Sequence, residues 1–384
     1  MCYNYDVVKK SFKFRIKAGK QTLQNAEKTL GLCCWLYNTA LEQRISVYKG
    51  RKKTINYYNQ ANELHDLKEE FPEFKQVGSQ VLQNVLKKLD LAYASFFRRI
   101  KHGETPGFPR FKGRDRFDSF MFPGQSGWKL QGHYLNVSKV GLFRVKMHRP
   151  IEGEIKTVTF KKSRTNKWYV VFSCDNVPEK LLPKTGKHIG IDVGCESFIV
   201  DNNNRVVENP RFFKNGNDKL AKRQQTLATK TKGSNNRSKA RFLVAKAHEH
   251  VSSQRKDFHF KTALTLIKEN DTIYVEDMRA WNTKSTGLNR SMRDVAWFQF
   301  FDILQFKAEE AGKQVIKVPA AGTSQCCSSC GCVVEKQLSE RIHACPECGF
   351  ETSRDHNAAI NIFRAGEVRR NKSFHDTVPR SPGL

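Results

Sequence analysis

The sequence predicts an α/β chain in two parts: an antiparallel sheet interrupted by a helical insertion, then a mixed α/β unit. Three observations support this. Residues 11–17 (SFKFRIK) alternate apolar and basic side chains, the period of a half-buried strand, whereas residues 22–100 repeat with helical spacing. Beyond residue 188, strand-like and helix-like stretches alternate. At 384 residues the chain also exceeds the roughly 250–300 residues at which a single core stops growing.

Taken in order, the helical stretch carries Leu32, Trp35, Leu36, Thr39 and Leu41 on one expected face, and later Val81, Val85, Leu89, Ala92, Phe96 and Phe97. Gly103, Pro106, Gly107 and Pro109 then break helix and open a basic loop to Arg116. Residues 119–174 read as short strands, with TVTF (157–160) and KWYVVF (167–172) forming a hairpin across a polar turn. Residues 183–187 read as a linker. In the second part, strands are expected at 188–193, 196–201, 272–275 and 314–318, and helices over 218–268 and 295–311. The segment after Gly366 is charged and bears Pro and Gly, which predicts a disordered tail.

Charge narrows the function. Sixty-seven Lys+Arg against 38 Asp+Glu leave +29, the charge of a partner for polyanions. No stretch approaches the roughly 20 apolar residues of a membrane span, and the first twenty residues show no secretory h-region. Of eleven cysteines, six crowd into residues 326–348, which favours metal ligation in a reducing compartment over a disulfide framework. The scattered Cys2, Cys33, Cys34, Cys174 and Cys195 read as buried small hydrophobes.

Three acids stand where apolar elements begin or end. Asp192 lies inside GIDVG (190–194), where an ionised carboxylate is costly unless paired or metal-bound. Glu276 follows the apolar run 273–275, with Asp277 as its rival, and Asp355 opens a short expected helix in RDHNAAI (354–360). Converging carboxylates in a basic protein suit a two-metal phosphodiesterase, since Mg²⁺ prefers oxygen ligands. The plainer readings are a buried Arg partner for Asp192, strand-end solvation for Glu276 and helix capping for Asp355. Gly190 and Gly194 mark a close approach of ligand or backbone.

Cys327-x-x-Cys330 and Cys345-x-x-Cys348, 14 residues apart and each pair followed by Gly, point to a closed structural zinc site; Cys326 and Cys332 leave its register open. From Lys219 to Lys256 there are eleven Lys/Arg and one acid, too one-sided for salt-bridge lacing, so a phosphate track is expected. Its candidate contacts are Lys230, Lys232, Asn236, Arg237, Lys239 and Arg241. The aromatics interleaved with cations at 12–15 and 167–169 could stack bases or pack the sheet.

These motifs, with VED (275–277), TSQ (323–325), FPRFK (108–112) and GSNNR (233–237), stand in the order seen in TnpB, the transposon-associated ancestor of type V CRISPR effectors. The sequence resembles that family over nearly its whole length. The resemblance implies an RNase H-like RuvC nuclease domain (186–324 and 351–366) with an inserted zinc ribbon (325–350). It also implies an antiparallel β wedge domain (1–21 and 105–182) carrying a helical recognition insertion (22–104), and a tail over 367–384. The implied activity is RNA-guided cleavage of double-stranded target DNA beside a short motif, with a guide RNA from the transposon end, in the cytoplasm of a prokaryotic cell and at the nucleoid when DNA is bound. By position, Asp192, Glu276 and Asp355 match the catalytic carboxylates, which would hold two Mg²⁺, and Cys327, Cys330, Cys345 and Cys348 match the ligands of one structural Zn²⁺. Where family members often carry a second Asp, this sequence has Ser353. The rivals are a guide-dependent repressor that binds without cutting, which would be expected to lose an acid, and a transposase that joins strands without RNA.

If the basic stretch tracks phosphates, nucleic-acid affinity falls by several orders of magnitude between about 50 and 200 mM salt; a flat salt titration would refute that role.

Overall fold

The computed structural model describes residues 8–277, 292, 294–320, 322–337 and 340–377, and the chain divides into two compact units, Met1–Pro178 and Glu179–Leu384.

In the first unit, β1 (Val8–Lys17) buries Phe12, Phe14 and Ile16 and exposes Lys13, Arg15 and Lys17, as its alternation dictates. Four helices follow: α1 (Lys20–Arg51), α2 (Tyr57–Asn62), α3 (Leu64–Glu70) and α4 (Ser79–Lys101). The chain then returns to β2 (Ser119–Pro123), β3 (Trp128–Gln131), β4 (Tyr134–Val137), β5 (Gly141–Lys146), β6 (Glu154–Lys162) and β7 (Trp168–Val177). These strands form one antiparallel sheet in the order β2-β6-β7-β1-β5-β4-β3. Phe120 and Phe160 stack at 5.0 Å between ring centroids in its core. Helix α1 contributes Ala26, Leu30, Cys33, Leu36, Tyr37 and Leu41, and α4 contributes Val81, Val85 and Leu89. The expected helix faces were drawn too wide: Trp35, Thr39 and Phe97 are exposed, and Trp35 instead packs on Phe71 and Phe74 at the rim.

The second unit is built on a five-stranded sheet. β9 (Ser197–Asp201) runs antiparallel to its neighbours β8 (His188–Val193) and β10 (Val206–Glu208), while β11 (Thr272–Glu276) and β12 (Gln314–Val318) run parallel to β8, giving the order β10-β9-β8-β11-β12. Strand β11 is buried from Thr272 through Val275, as expected of a central parallel strand covered on both faces. Ile273 and Val275 pack with Ala263, Leu266 and Ile267 of α6 (Asn235–Glu269) and with Phe300 and Leu304 of α7 (Trp297–Glu310). Tyr274, pointing the other way, packs with Ile362 of α8 (Arg354–Thr377). Helix α5 (Phe212–Ala228) pairs with α6, and β13 (Ile342–Ala344) pairs antiparallel with β14 (Glu351–Ser353).

Two boundaries differ from expectation. Residues 179–182 belong to the second unit rather than to the first, because the Lys180 and Leu182 amides donate to Glu310 and Ala311 carbonyls at 3.2 and 3.0 Å. The expected linker is pinned as well: the Thr185 and Gly186 amides donate to the Asp271 carboxylate, which also pairs with the buried Lys313. The expected disordered tail is helical through Thr377, as the last turns of α8. The reason is Gly366. With no Cβ it lies against the Tyr274 ring, where an added Cβ would come within 2.2 Å, while the Tyr274 hydroxyl donates to Glu367 at 2.5 Å and Arg370 donates to the same carboxylate at 2.9 Å. Residues 378–384 lie outside the described residues.

Gly366→Ala therefore overpacks the helix–sheet contact and lowers stability by about 1–3 kcal/mol, read as a lower denaturation midpoint. An unchanged midpoint would mean that α8 does not depend on this seat.

Candidate active site and metal centre

Asp192 sits one residue from the C-terminal end of β8. Because Val275 pairs with Ile191 in the parallel register, Glu276 falls beside Asp192 on the neighbouring strand end, roughly one strand spacing (about 4.8 Å) away. Asp355 arrives from elsewhere, in the first turn of α8. The glycines explain how it gets there. A Cβ at Gly190 would lie 2.6 Å from the Phe363 nitrogen and 2.7 Å from the Ala359 carbonyl, so the backbone of α8 rests directly on β8. A Cβ at Gly194 would lie 3.6 Å from Asp355 Oδ2. The close approaches marked by GIDVG are thus those of backbone, the α8 backbone at Gly190 and the Ser197 carbonyl, 2.8 Å from a Cβ at Gly194.

The three acids share one electrostatic environment. Burial, then the charges of Glu276 and Asp355, push the Asp192 carboxyl well above the usual range, against a Val193 backbone hydrogen bond and Arg354. Burial also raises Glu276, opposed by a hydrogen bond from Thr323 and by Arg354; it raises Asp355 too, opposed by Arg341 and Arg354. The arginine that bears on Asp192, Arg354, acts on all three acids. Ser353, the departure from the family pattern, accepts the His356 amide at 3.2 Å and so caps α8, leaving Asp355 free of that duty.

The four thiols are drawn together more tightly. The sulfurs of Cys327, Cys330, Cys345 and Cys348 all lie within 4.8 Å of one another, with Cys327–Cys348 at 3.7 Å and Cys330–Cys345 at 3.6 Å. Those edges match a tetrahedron with Zn–S near 2.3 Å, whose S···S edges are about 3.8 Å. Burial would raise the Cys327 thiol, but amides of Cys330 and Ser329, together with His343, outweigh it and pull it down to about 5, favouring the thiolate that ligates metal. Gly331 and Gly349 adopt φ of 82° and 70°, the left-handed turn each knuckle requires. Cys326 Sγ instead turns to the Gly331 carbonyl at 3.1 Å and Cys332 Sγ to the Val333 carbonyl at 3.8 Å, and neither belongs to the group of four. Among the described residues this is the one set of three or more such side chains gathered closely enough to share an ion; the carboxylates converge more loosely.

Helix α8 ties the thiol module to the acids. Asn357, fully buried, donates to the Cys326 carbonyl at 2.8 Å and accepts the Ser328 amide at 2.8 Å. Asn361 donates to the Thr323 and Cys326 carbonyls at 2.9 and 2.7 Å, and Arg364 donates to the Ser328 carbonyl. Thr323 in turn gives its hydroxyl proton to Glu276 Oε1. Thr323 and Arg354 stood in quoted motifs without a role, and no spacing rule singles them out.

Of the basic candidates, Lys230, Lys232, Asn236, Lys239 and Arg241 are exposed around the α5–α6 turn. Arg237 differs: its Nη1 donates to the Leu227 and Lys230 carbonyls, holding the end of α5. At the first unit's sheet, Phe12, Phe14 and Trp168 are core, whereas Tyr169 lies 4.3 Å beneath Lys13 Nζ on the cationic face. Shallow hollows of about 400 and 540 Å³ on that face are lined by Lys17, Arg144 and Lys146, and by Lys13, Arg15 and Tyr169. Cys33 and Cys174 are buried; Cys195, half-buried and raised by burial, is no activated nucleophile. Among the described residues no helix is long and apolar enough to cross a membrane.

Cys345→Ser is expected to lose the bound metal and destabilise the second unit, whereas Cys326→Ser and Cys332→Ser keep one metal per chain by elemental analysis. Metal loss in either of the latter would place the register elsewhere.

The Cas12f1-like TNB domain family matches residues 297–362, the OrfB_IS605 family, described as "Probable transposase", matches residues 171–286, and one described as "Helix-turn-helix domain" matches residues 4–53. The described part of that last segment is a strand and a single 32-residue helix, not a helix-turn-helix. A Streptomyces pristinaespiralis chain named "Putative RNA-guided DNA endonuclease" is 31% identical over 367 residues, covering 94% of this chain and 90% of its own length. An Escherichia coli (strain K12) chain named "Putative RNA-guided DNA endonuclease InsQ" is 30% identical over 377 residues, covering 93% and 92%. A structure titled "Cryo-EM structure of the Cas12f1-sgRNA-target DNA complex" shares the fold, with a TM-score of 0.57 at 15% identity over 90% of this chain and 83% of that one. With likeness of this extent running through nearly the whole sequence, the chain belongs to the TnpB family.

Proposed function

We propose that this chain is a transposon-associated, guide-RNA-directed DNA endonuclease in which Asp192, Glu276 and Asp355 hold two Mg²⁺ ions. The observation that carries the reading is the gathering of three acids, each raised above its usual range, at the ends of two adjacent parallel strands and one helix. Open α/β sheets place their ligand sites at the carboxyl ends of parallel strands. Bound there, the ions would activate the attacking water and stabilise the leaving oxygen of the phosphodiester. The chain's own residues do the rest: Asp192 lies within electrostatic reach of both other acids, Thr323 holds Glu276, and Ser353 caps the turn that presents Asp355.

On this reading the second unit is the RNase H-like RuvC domain, its thiol module holds one structural Zn²⁺, and the first unit is the wedge with its helical recognition insertion. The exposed cations of the α5–α6 turn and of the seven-stranded sheet would meet phosphates of the guide RNA and of the double-stranded target. The relatives named as RNA-guided DNA endonucleases support it over nine-tenths of the chain.

Asp192→Asn tests the site with two readouts. Cleavage of target plasmid in the guide-loaded complex with Mg²⁺ should be abolished, with guide-RNA binding retained. Because the folded-state pKa of Asp192 is raised, its contribution to stability is present below the unfolded pKa and lost as pH rises through the folded value. Ionising this carboxyl in the fold therefore costs stability, and D192N, which removes the ionisation, should raise the denaturation midpoint in Mg²⁺-free buffer as pH rises. Undiminished cleavage by D192N would end the assignment. Target binding by the wild type without any cutting would favour a repressor.

A further inference from the structure

We infer that Thr323 is a positioning residue for Glu276, fixing which carboxylate oxygen faces the metal centre. The inference rests on the reading of Glu276 as a metal ligand. Glu276 is the acid with the longest side chain of the three and so the one least defined by its own backbone; a third torsion must be frozen before its carboxylate has a direction. Thr323 supplies that constraint. It is buried, at 7% exposure, in the loop between β12 and the first knuckle, and its hydroxyl donates to Glu276 Oε1. A hydroxyl carries one proton, so the Ala320 carbonyl at 3.2 Å is the lesser contact. With Oε1 engaged, Oε2 is the oxygen left to meet an ion.

Thr323 is itself immobilised from the other side. Asn361 holds its carbonyl at 2.9 Å and that of Cys326 at 2.7 Å, while Asn357 grips the Cys326 carbonyl and the Ser328 amide on either side of Cys327. A continuous run of hydrogen bonds therefore leads from the thiol cluster through the knuckle backbone to the carboxylate of Glu276. Within that run, the Thr323 hydroxyl is the group that meets Glu276.

The test compares Thr323→Val, which keeps the branched shape and removes the hydroxyl, with Thr323→Ser, which keeps the hydroxyl, and with Glu276→Gln. In the guide-loaded full chain, T323V should lower single-turnover plasmid cleavage about tenfold or more and raise the Mg²⁺ concentration needed for half-maximal rate, with T323S restoring both to within about twofold. Mn²⁺ binding to the RNA-free full chain, followed by electron paramagnetic resonance, should weaken in T323V and recover in T323S. Zinc content and the denaturation midpoint should not change. If T323V matches the wild type in cleavage and Mn²⁺ binding while E276Q is dead, Thr323 positions nothing although Glu276 is a ligand. If E276Q cleaves normally, the ligand reading itself fails and takes this inference with it. Zinc loss or a lowered midpoint in T323V would make Thr323 an element of the fold instead, which also overturns the inference.

Discussion

The contact on which the second unit depends is the grip of one helix face on a loop. Asn357, Asn361 and Arg364 follow one another at helical spacing along α8, and their side chains bond to backbone atoms between Thr323 and Ser328. Backbone groups removed from water need partners, and here the partners come from the helix that also carries Asp355. The same helix lies so close to β8 that only hydrogen fits at Gly190. Strand, helix and thiol knuckle are therefore indexed to one another, and the acids inherit that alignment.

Electrostatics opposes the arrangement. Three carboxylates are gathered in a partly buried corner of a chain whose net charge is +29, and their nearest common counter-charge is Arg354. Cations abound elsewhere, on the sheet of the first unit and at the α5–α6 turn, yet they are turned outward. This separation is the pattern of a site that trades stability for binding: the acids share the counter-charge of Arg354, and the exposed cations stand where polyanions can meet them.

Much of this was legible in the sequence where chemistry dictates residue type and spacing. Thiolates must come in pairs to close a tetrahedral site, and an acid within GIDVG or beside an apolar run has few innocent explanations. Strand β1 was equally plain, because alternation of Phe and Lys has one interpretation. What escaped was set by tertiary contacts. Thr323 meets Glu276 across 47 residues, and a threonine in a loop carries no signal of its own. The tail composition suggested disorder, but Gly366 and the Tyr274–Glu367 contact hold it as helix. Trp35 and Phe97 fell on helical spacing yet lie at the edge of the core, since spacing does not say where the core ends.

The 35 residues of α6 have a geometric consequence. At 1.5 Å per residue the helix is a rod about 50 Å long, which corresponds to about fifteen base-pair steps of duplex at 3.4 Å each. Its two ends have different occupations: Ala263, Leu266 and Ile267 are embedded beside the sheet, while Lys239 and Arg241 stand in solvent near the other tip. A graduated arm anchored at one extremity would reach well over one full helical turn of a bound duplex.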